Sequence, residues 1–599
     1  MQDIDKTQYV PYRQDGEPPR KAALIKVDFN IEGLTDTDVQ VLGHLTEAAD
    51  MMNAIFRNQF EPKTVVIRRL VHQLAAVADG DTKEKLTYYS TMIDLQNSPY
   101  ALLPRKNAIL EIPLDELHKL AEKAGGLAPR DLAEVGVLMT MNFPTPDFAN
   151  FYPNDMTDEE FEDLGESANV VNSIVMRDYD GEPDILLNEE RYAEALLPVI
   201  AHLKEVRKLV KDPGFQLYLD AKIIELEIGS EESRRIADYT WVRHDNPIDI
   251  VISTAVEVYL DNYKNARGAA LGGVFVRNME AEELLNALVE RVPAWEYNAP
   301  WQNKKTDIDP ETMPKLKFVD VLTWAGDFVT GPFTTIAQSL PNDEWVMQNV
   351  GTVNMVYMNT GKAVHKVSGN LAAETFLTKA EFENVKDMLF DANQLHSALH
   401  EIGHTTGRMD EKHQGQPRDY FEEEYSFLEE TRAELFGMWS LNLLVEDGIV
   451  DDRKRRACYD GMLISMLTSL KFDPVQAHNK ARNGMFHYFV DKEAVTTVEE
   501  EGETRWQFDF EKAPDVVAEM LKLIGDIKAS GDKEAAVKLR EKYVFPDDLK
   551  AEIERRTADF PLGRGLIFPR LKKEGNRYLP ELEYPDSFSG QPKFNMDLM

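Results

Sequence analysis

The segment VKDMLFDANQLHSALHEIGHTTGR constrains this chain more than any other. Val385, Met388, Leu389, Ala392, Leu395 and Leu399 recur at helical spacing, which predicts an amphipathic helix. At ~3.6 residues per turn, His400 and His404 then stand one turn apart on one face, where two imidazoles reach a single ion. Glu401 lies roughly 100° around the axis from His400. It can touch a water on that ion without being a ligand, the arrangement of an HExxH zinc helix. Gly403 leaves room beside the pair.

A helix of this kind needs a third donor. YSFLEETRAELFGMWSLNLL supplies one, with Leu428, Leu435, Trp439 and Leu443 marking a second apolar stripe. Glu430 and Glu434 share another face, away from that stripe. Glu430 as third ligand leaves the fourth position open, as catalytic zinc requires. Glu434 or Glu429 could accept the remaining N–H of a ligand histidine. The plainer reading makes EETRAE a solvated charged face. Two rival ligands stay open. HEIGHTTGRMD reads as HExxHxxGxxD, with Gly407 in place and Asp410 as third ligand, a metzincin-like pattern. His396 lies one helical turn before His400.

Bulk properties narrow the setting. A chain of 599 residues is long enough for several domains at ~100–200 residues each. The net charge of −38 repels phosphate backbones and anionic lipid, so neither nucleic acid nor a membrane surface is expected as a partner. Cys458 is the one cysteine, so no intramolecular disulfide can form, and it reads as a structural thiol. The N-terminal MQDIDKTQYVPYRQDGEPPR has no apolar signal region, and no apolar run approaches ~20 residues. Cytoplasm is the expected location.

Along the chain, the first 20 residues read as a polar mobile arm and AALIKVDFNI as a strand. A helix capped at TDTD follows, and helical patterns run to about residue 238. IDIVISTAVEVYL, ALGGVFVRN, DVLTWAG, PFTTIAQSLP and VGTVNMVYMNT are β-branched, turn-bounded strands of one barrel or mixed sheet. MEAEELLNALVERV between them is an amphipathic helix. Helices return from about residue 372 to 556, with Glu499–Glu503 as a solvated turn, and the tail from Phe560 is expected to be extended. Gly272 and Gly273 have no phosphate-loop context.

The paired HEIGH and EETRAE motifs resemble those of the dipeptidyl peptidase III family, which joins an H-E-x-x-G-H helix to an E-E-x-R-A-E helix. WVRHDNPIDIVISTAVEVY, VDVLTWAG, SLPND, QAHNKAR and LKLIGDIKASGD extend the resemblance over roughly residues 140–575. It implies an α+β fold of two lobes around a wide cleft, one mostly helical and carrying zinc, the other mixed with a small β-barrel. The implied boundaries are a mixed lobe with barrel strands over 1–276, a helical-lobe insertion at 277–314, a return to the barrel at 315–370, the helical zinc lobe at 371–563, and a tail at 564–599 packing on the barrel lobe. It further implies a peptidase acting on short peptides with one zinc ion per chain. His400, His404 and Glu430 become the ligands, Glu401 the general base, His478 the group that stabilises the tetrahedral intermediate, and Arg482 a peptide contact.

Two departures bear on specificity. The metal motif is one residue shorter than the family's, which restores regular one-turn spacing. Ile250 and Ile252 stand where a carboxylate and a tyrosine are expected, and Ser339 where an asparagine is expected. Asp249, Glu257 and Asn342 become the candidates to hold the substrate N-terminus, and Ser339 stays a substrate-binding candidate. Arg564 and Arg570 are candidates for a substrate carboxylate. A catalytically silent peptide-binding protein is the alternative function.

Overall fold

Thr35 caps the first long helix, Asp36–Phe60, as its sequence predicts: its side chain accepts from the Asp38 amide while the Asp38 carboxylate accepts from the Thr35 amide. In this computed structural model residues 8–12 and 20–584 are described, apart from 100–109, 141–149, 166–169, 257–266, 302–303, 305–314, 330–336, 411–412, 414–416, 472–476 and 543–546. The chain forms two compact units. One comprises Met1–Met279, Pro314–Val364 and Pro561–Met599, and the other Glu280–Met313 and His365–Phe560.

The first unit is mixed. Its main sheet runs in the order Ile248–Ser253, Leu271–Arg277, Lys315–Gly326, Val353–Tyr357, Ala337–Leu340. All neighbours are antiparallel except Lys315–Gly326 with Val353–Tyr357, which are parallel. These are the strands read from the β-branched segments. Helix Asp36–Phe60 packs on this sheet, and Gly272 allows it to approach closely. A Cβ there would lie 2.6 Å from the Ala49 carbonyl oxygen, so any other residue would push helix and strand apart. Every residue of Ile248–Ser253 is buried. Tyr218 and Trp241, from helices Pro213–Ile228 and Glu231–Arg243, bond to it, and helix Asp36–Phe60 also packs on it. Such a strand reads as continuous apolar sequence, not as alternation.

Two expectations for the chain ends need correcting. Gln8–Tyr12 is not a free arm; it pairs antiparallel with Arg20–Lys26. Arg20–Lys26 pairs in turn, in parallel, with Leu562–Ile567 from the tail. The tail is extended, as expected, with a further hairpin of Arg570–Glu574 and Arg577–Glu583. Arg570 is not available to a substrate, because its guanidinium donates to the buried Asp50 carboxylate at 2.8 Å and to Thr323 Oγ1 at 3.1 Å. The Arg564 side chain lies outside the described residues.

The second unit is mostly helical. The predicted histidine helix begins at Leu389, not Val385, because Lys379–Val385 forms a separate short helix; the histidine helix then runs unbroken to His404. It packs against the glutamate helix, Tyr425–Glu446. Gly403 sits at their contact, where a Cβ would come within 3.1 Å of the Ala433 Cα. A larger residue there would overpack the helix pair at a cost of ~1–3 kcal/mol. Cys458 is buried and its thiol donates to the Ala392 carbonyl, in keeping with a structural role. The acidic run forms the turn of hairpin Val495–Glu500 and Glu503–Phe508, with Glu501 and Gly502 at positive φ. No helix among the described residues is long and apolar enough to cross a membrane.

Candidate metal centre

One regular helix carries both histidines, so their rings project from the same face. The Nε2 atoms of His400 and His404 lie 3.1 Å apart. Glu430 Oε2, from the glutamate helix, lies 3.2 Å from His400 Nε2 and 3.7 Å from His404 Nε2. Among the described residues, His400, His404 and Glu430 are the group of three metal-capable side chains whose donor atoms all fall within 4.8 Å of one another. Asp410 is outside it. The chain turns away after the helix at Gly407 (φ +67), whose N–H donates to Glu296, and the Asp410 amide then donates to the Ala529 carbonyl. His396 is also turned elsewhere, with Nε2 at 3.2 Å from the Glu434 backbone oxygen.

The other face of each imidazole meets a carboxylate. His404 Nδ1 lies 3.1 Å from Glu429 Oε1, and His400 Nδ1 lies 3.4 Å from Glu434 Oε2. Such partners orient a ligand ring and leave its opposite nitrogen free for a metal. Glu429 and Glu434 are buried, at 7% and 3% exposure, so EETRAE is not a solvated face. Each of these carboxylates therefore needs cations. Arg432 and Lys528 both donate to Glu429, Lys528 at 2.8 Å, and Arg432 is itself held by Thr406 at 2.8 Å. Arg482 donates to Glu434 from Nε and Nη2 at 3.3 and 3.2 Å. The expected peptide contact thus spends two of its nitrogens on positioning Glu434. Arg432 was legible as the residue one turn after Glu429; Lys528 and Thr406 carry no local signal.

Among the described residues, Glu430 meets imidazoles and no lysine or arginine. Burial raises the cost of charge on Glu429, but Arg432 and Lys528 outweigh it and hold its pKa well below the carboxylate range. Glu434 is held down in the same way, chiefly by His400 and Arg482. Burial opposes charge on His400 too, yet Glu430 and Glu434 push its pKa up to about 10. Glu430 Oε2 makes no well-directed hydrogen bond despite its imidazole neighbours, as expected of an oxygen set to ligate. Imidazole, imidazole and carboxylate are a donor set that suits zinc.

Two further residues border the centre. Glu401 is partly buried and, among the described residues, makes no hydrogen bond or ion pair. His478, from helix Ala477–Asp491, is half exposed, with Nδ1 at 3.2 Å from Glu430 Oε2 and its ring centroid 5.7 Å from that of His400. Burial lowers its pKa, against the opposing pull of Glu430.

The anchors expected for a substrate amine belong to the other unit. Asp249 is not one of them. It is wholly buried, and its carboxylate accepts from Trp241 Nε1 at 2.9 Å, Lys317 Nζ at 2.7 Å and the Ile250 amide at 2.8 Å, with His244 Nε2 at 3.2 Å. Ile250 and Ile252 are wholly buried as well. Ser339 and Asn342 are exposed; Ser339 is paired in register with Asn354, and Asn342 donates to the Val256 carbonyl at 3.0 Å. Glu257 lies outside the described residues.

Comparison with known proteins points to peptidase family M49, whose family model matches residues 164–431, a span containing all three donor residues. Nudix hydrolase 3 of Arabidopsis thaliana is 24% identical over 566 residues, covering 88% of this chain and 70% of that protein. Among solved structures, dipeptidyl peptidase III from Caldithrix abyssi superposes with a TM-score of 0.73 at 24% identity, over 91% of this chain and 97% of that one. Dipeptidyl peptidase III from Corallococcus sp. strain EGB gives 0.62 at 21% identity, over 90% and 94%. At these identities the superpositions speak for a shared fold. The resemblance to the dipeptidyl peptidase III family carried by the two motifs is thus present in the family match and in the fold.

Proposed function

We propose that this chain is a zinc-dependent peptidase that hydrolyses short peptides near their N-terminus. The carrying observation is the set His400, His404 and Glu430, with a buried carboxylate behind each imidazole. These three residues would hold the ion. Bound zinc supplies Lewis-acid activation, bringing the pKa of a water toward ~7. Glu401 takes the proton of the attacking water and returns it to the departing amine. That it makes no ion pair among the described residues suits the task, because a carboxylate tied in an ion pair is a poor base. His478 stands at the rim, where it can donate to the developing oxyanion. Glu429 and Glu434, held by Arg432, Lys528 and Arg482, keep the ligand rings in place.

A silent peptide-binding protein would have no need of Glu401 beside two oriented imidazoles. The register of cleavage is proposed to be looser than strict dipeptide release, because Asp249 is spent internally and isoleucines fill 250 and 252. The partners are short peptides, and the cytoplasm is the proposed location.

The test is digestion of a peptide library by the zinc-loaded protein, with cleavage positions read by mass spectrometry. Zinc occupancy after dialysis accompanies it. Occupancy is expected to fall in Glu430→Ala and to persist in Asp410→Ala. No cleavage by a fully zinc-loaded chain would overturn the proposal, and the opposite occupancy pattern would make Asp410 the ligand.

A further inference from the structure

Helix Leu389–His404 carries three histidines one turn apart, and the first of them, His396, takes no part in the donor set. Its ring is buried, and its Nε2 lies 3.2 Å from the backbone oxygen of Glu434 on the facing helix Tyr425–Glu446. A carbonyl only accepts, so Nε2 carries the proton and donates it. A mid-helix carbonyl has a second lone pair, so this bond adds to the ladder of the glutamate helix and replaces no part of it. Gly437, on the same helix, makes room for the ring. A Cβ there would lie 3.0 Å from His396 Nε2 and 3.4 Å from the His396 carbonyl oxygen, so the ring would have to shift. Glycine is a poor helix former in a helix interior, and its presence there has this packing reason.

Glu434 is thereby held at two points. His396 holds its main chain, and Arg482 holds its side chain through Oε1. Its other oxygen, Oε2, lies 3.4 Å from His400 Nδ1 and 3.7 Å from His396 Nδ1, so the carboxylate stands between the two rings. Glu430 is one turn before Glu434 on the same helix. Fixing the main chain at Glu434 therefore also fixes how far Glu430 stands from His400 and His404. Apolar side chains tolerate a small slide of one helix along another; a hydrogen bond with a set distance and direction does not. We propose that His396, seated on Gly437, is a positioning residue for the metal centre. It sets the register of the two helices, so that Glu430 Oε2 falls 3.2 and 3.7 Å from the two ligand nitrogens. This rests on the zinc reading of the site. Loss of His396 would leave all three donors in the chain but their convergence unsecured.

The test compares His396→Leu with His396→Gln in the full chain. Leucine fills much of the ring's volume but cannot donate; the glutamine amide nitrogen stands close to where Nε2 does and can. Zinc affinity is read by competition with a chelator, and the visible absorption of bound Co2+ reports the geometry of its donors. His396→Leu is expected to lower zinc affinity about tenfold or more, as loss of support behind metal ligands does, and to alter the Co2+ spectrum. His396→Gln is expected to stay near the affinity and the spectrum of the unaltered chain. Gly437→Ala keeps every polar group and displaces only the ring, so its affinity is expected to fall between the two. Equal affinities in the leucine and glutamine variants, both unchanged or both reduced, overturn the inference. Should the leucine variant fail to fold, Gly437→Ala carries the test, and an unchanged affinity there overturns it. An unaltered chain that binds no zinc removes the metal centre itself, whereas failure of this inference alone leaves that chain its zinc.

Discussion

Asp249 and Glu430 are both carboxylates set beside histidines in the folded chain, one in each unit, and they are completed differently. Asp249 has Lys317, Trp241, His244 and a backbone amide around it, and both of its oxygens accept hydrogen bonds. Glu430 has His400 and His478 at 3.2 Å, yet its Oε2 makes no well-directed hydrogen bond. The first cluster is closed and serves the sheet it sits in. The second is built by comparable means, but among the described residues Glu430 meets imidazoles and no lysine or arginine. Burial of charge alone therefore does not mark a site.

Four perturbations would break or sharpen that contrast. The largest effect belongs to Glu401→Ala, which should keep zinc and lose about 10²–10⁴ of kcat, as removal of a general base does; a variant with near-normal turnover would remove Glu401 from the mechanism. Next, Lys317→Met leaves Asp249 buried without its cation, and urea unfolding should show a loss of ~3–5 kcal/mol. An unchanged unfolding midpoint would mean that the closed cluster is not closed. Glu434→Gln and Glu429→Gln touch only the support behind the ligands, so zinc affinity measured by competition with a chelator should fall about 10–100-fold. The smallest effect concerns specificity. With Asp249 consumed and isoleucines at 250 and 252, acetylating a peptide's N-terminus should lower kcat/KM by less than about tenfold, or ~1.4 kcal/mol. Strict dipeptide release abolished by acetylation would reveal an amine anchor built from other residues.

Much of the candidate metal centre was legible because it is local. His400 and His404 are one helical turn apart, and Glu429, Glu430 and Glu434 are set by the same period on one partner helix. The shell beyond them was not, since Lys528 reaches Glu429 from a distant helix and Thr406 reaches Arg432 across a turn. Strands of the main sheet were legible from β-branched runs between turns. Asp249 was a candidate by its place in the sequence alone, and its burial was not legible, because alternation of faces says nothing when both faces of a strand are covered. Gln8–Tyr12 looked like a free arm for the same reason of distance: the strand it pairs with is itself seated on the tail.

That seating also sets the order in which the molecule can be made. Arg20–Lys26 waits for Leu562–Ile567, Asp50 for Arg570, and the bare face of Gly43 for the ring of Tyr578, all of which follow the helical unit in the sequence. The segment His365–Phe560, by contrast, is finished before any of these partners emerges. The helical unit can therefore settle while the sheet unit is still incomplete, with Asp50 lacking its guanidinium and a strand lacking its neighbour. A chain cut short of Arg570 would keep its histidines and glutamates in place, yet hold an uncompensated acid in the heart of its other half.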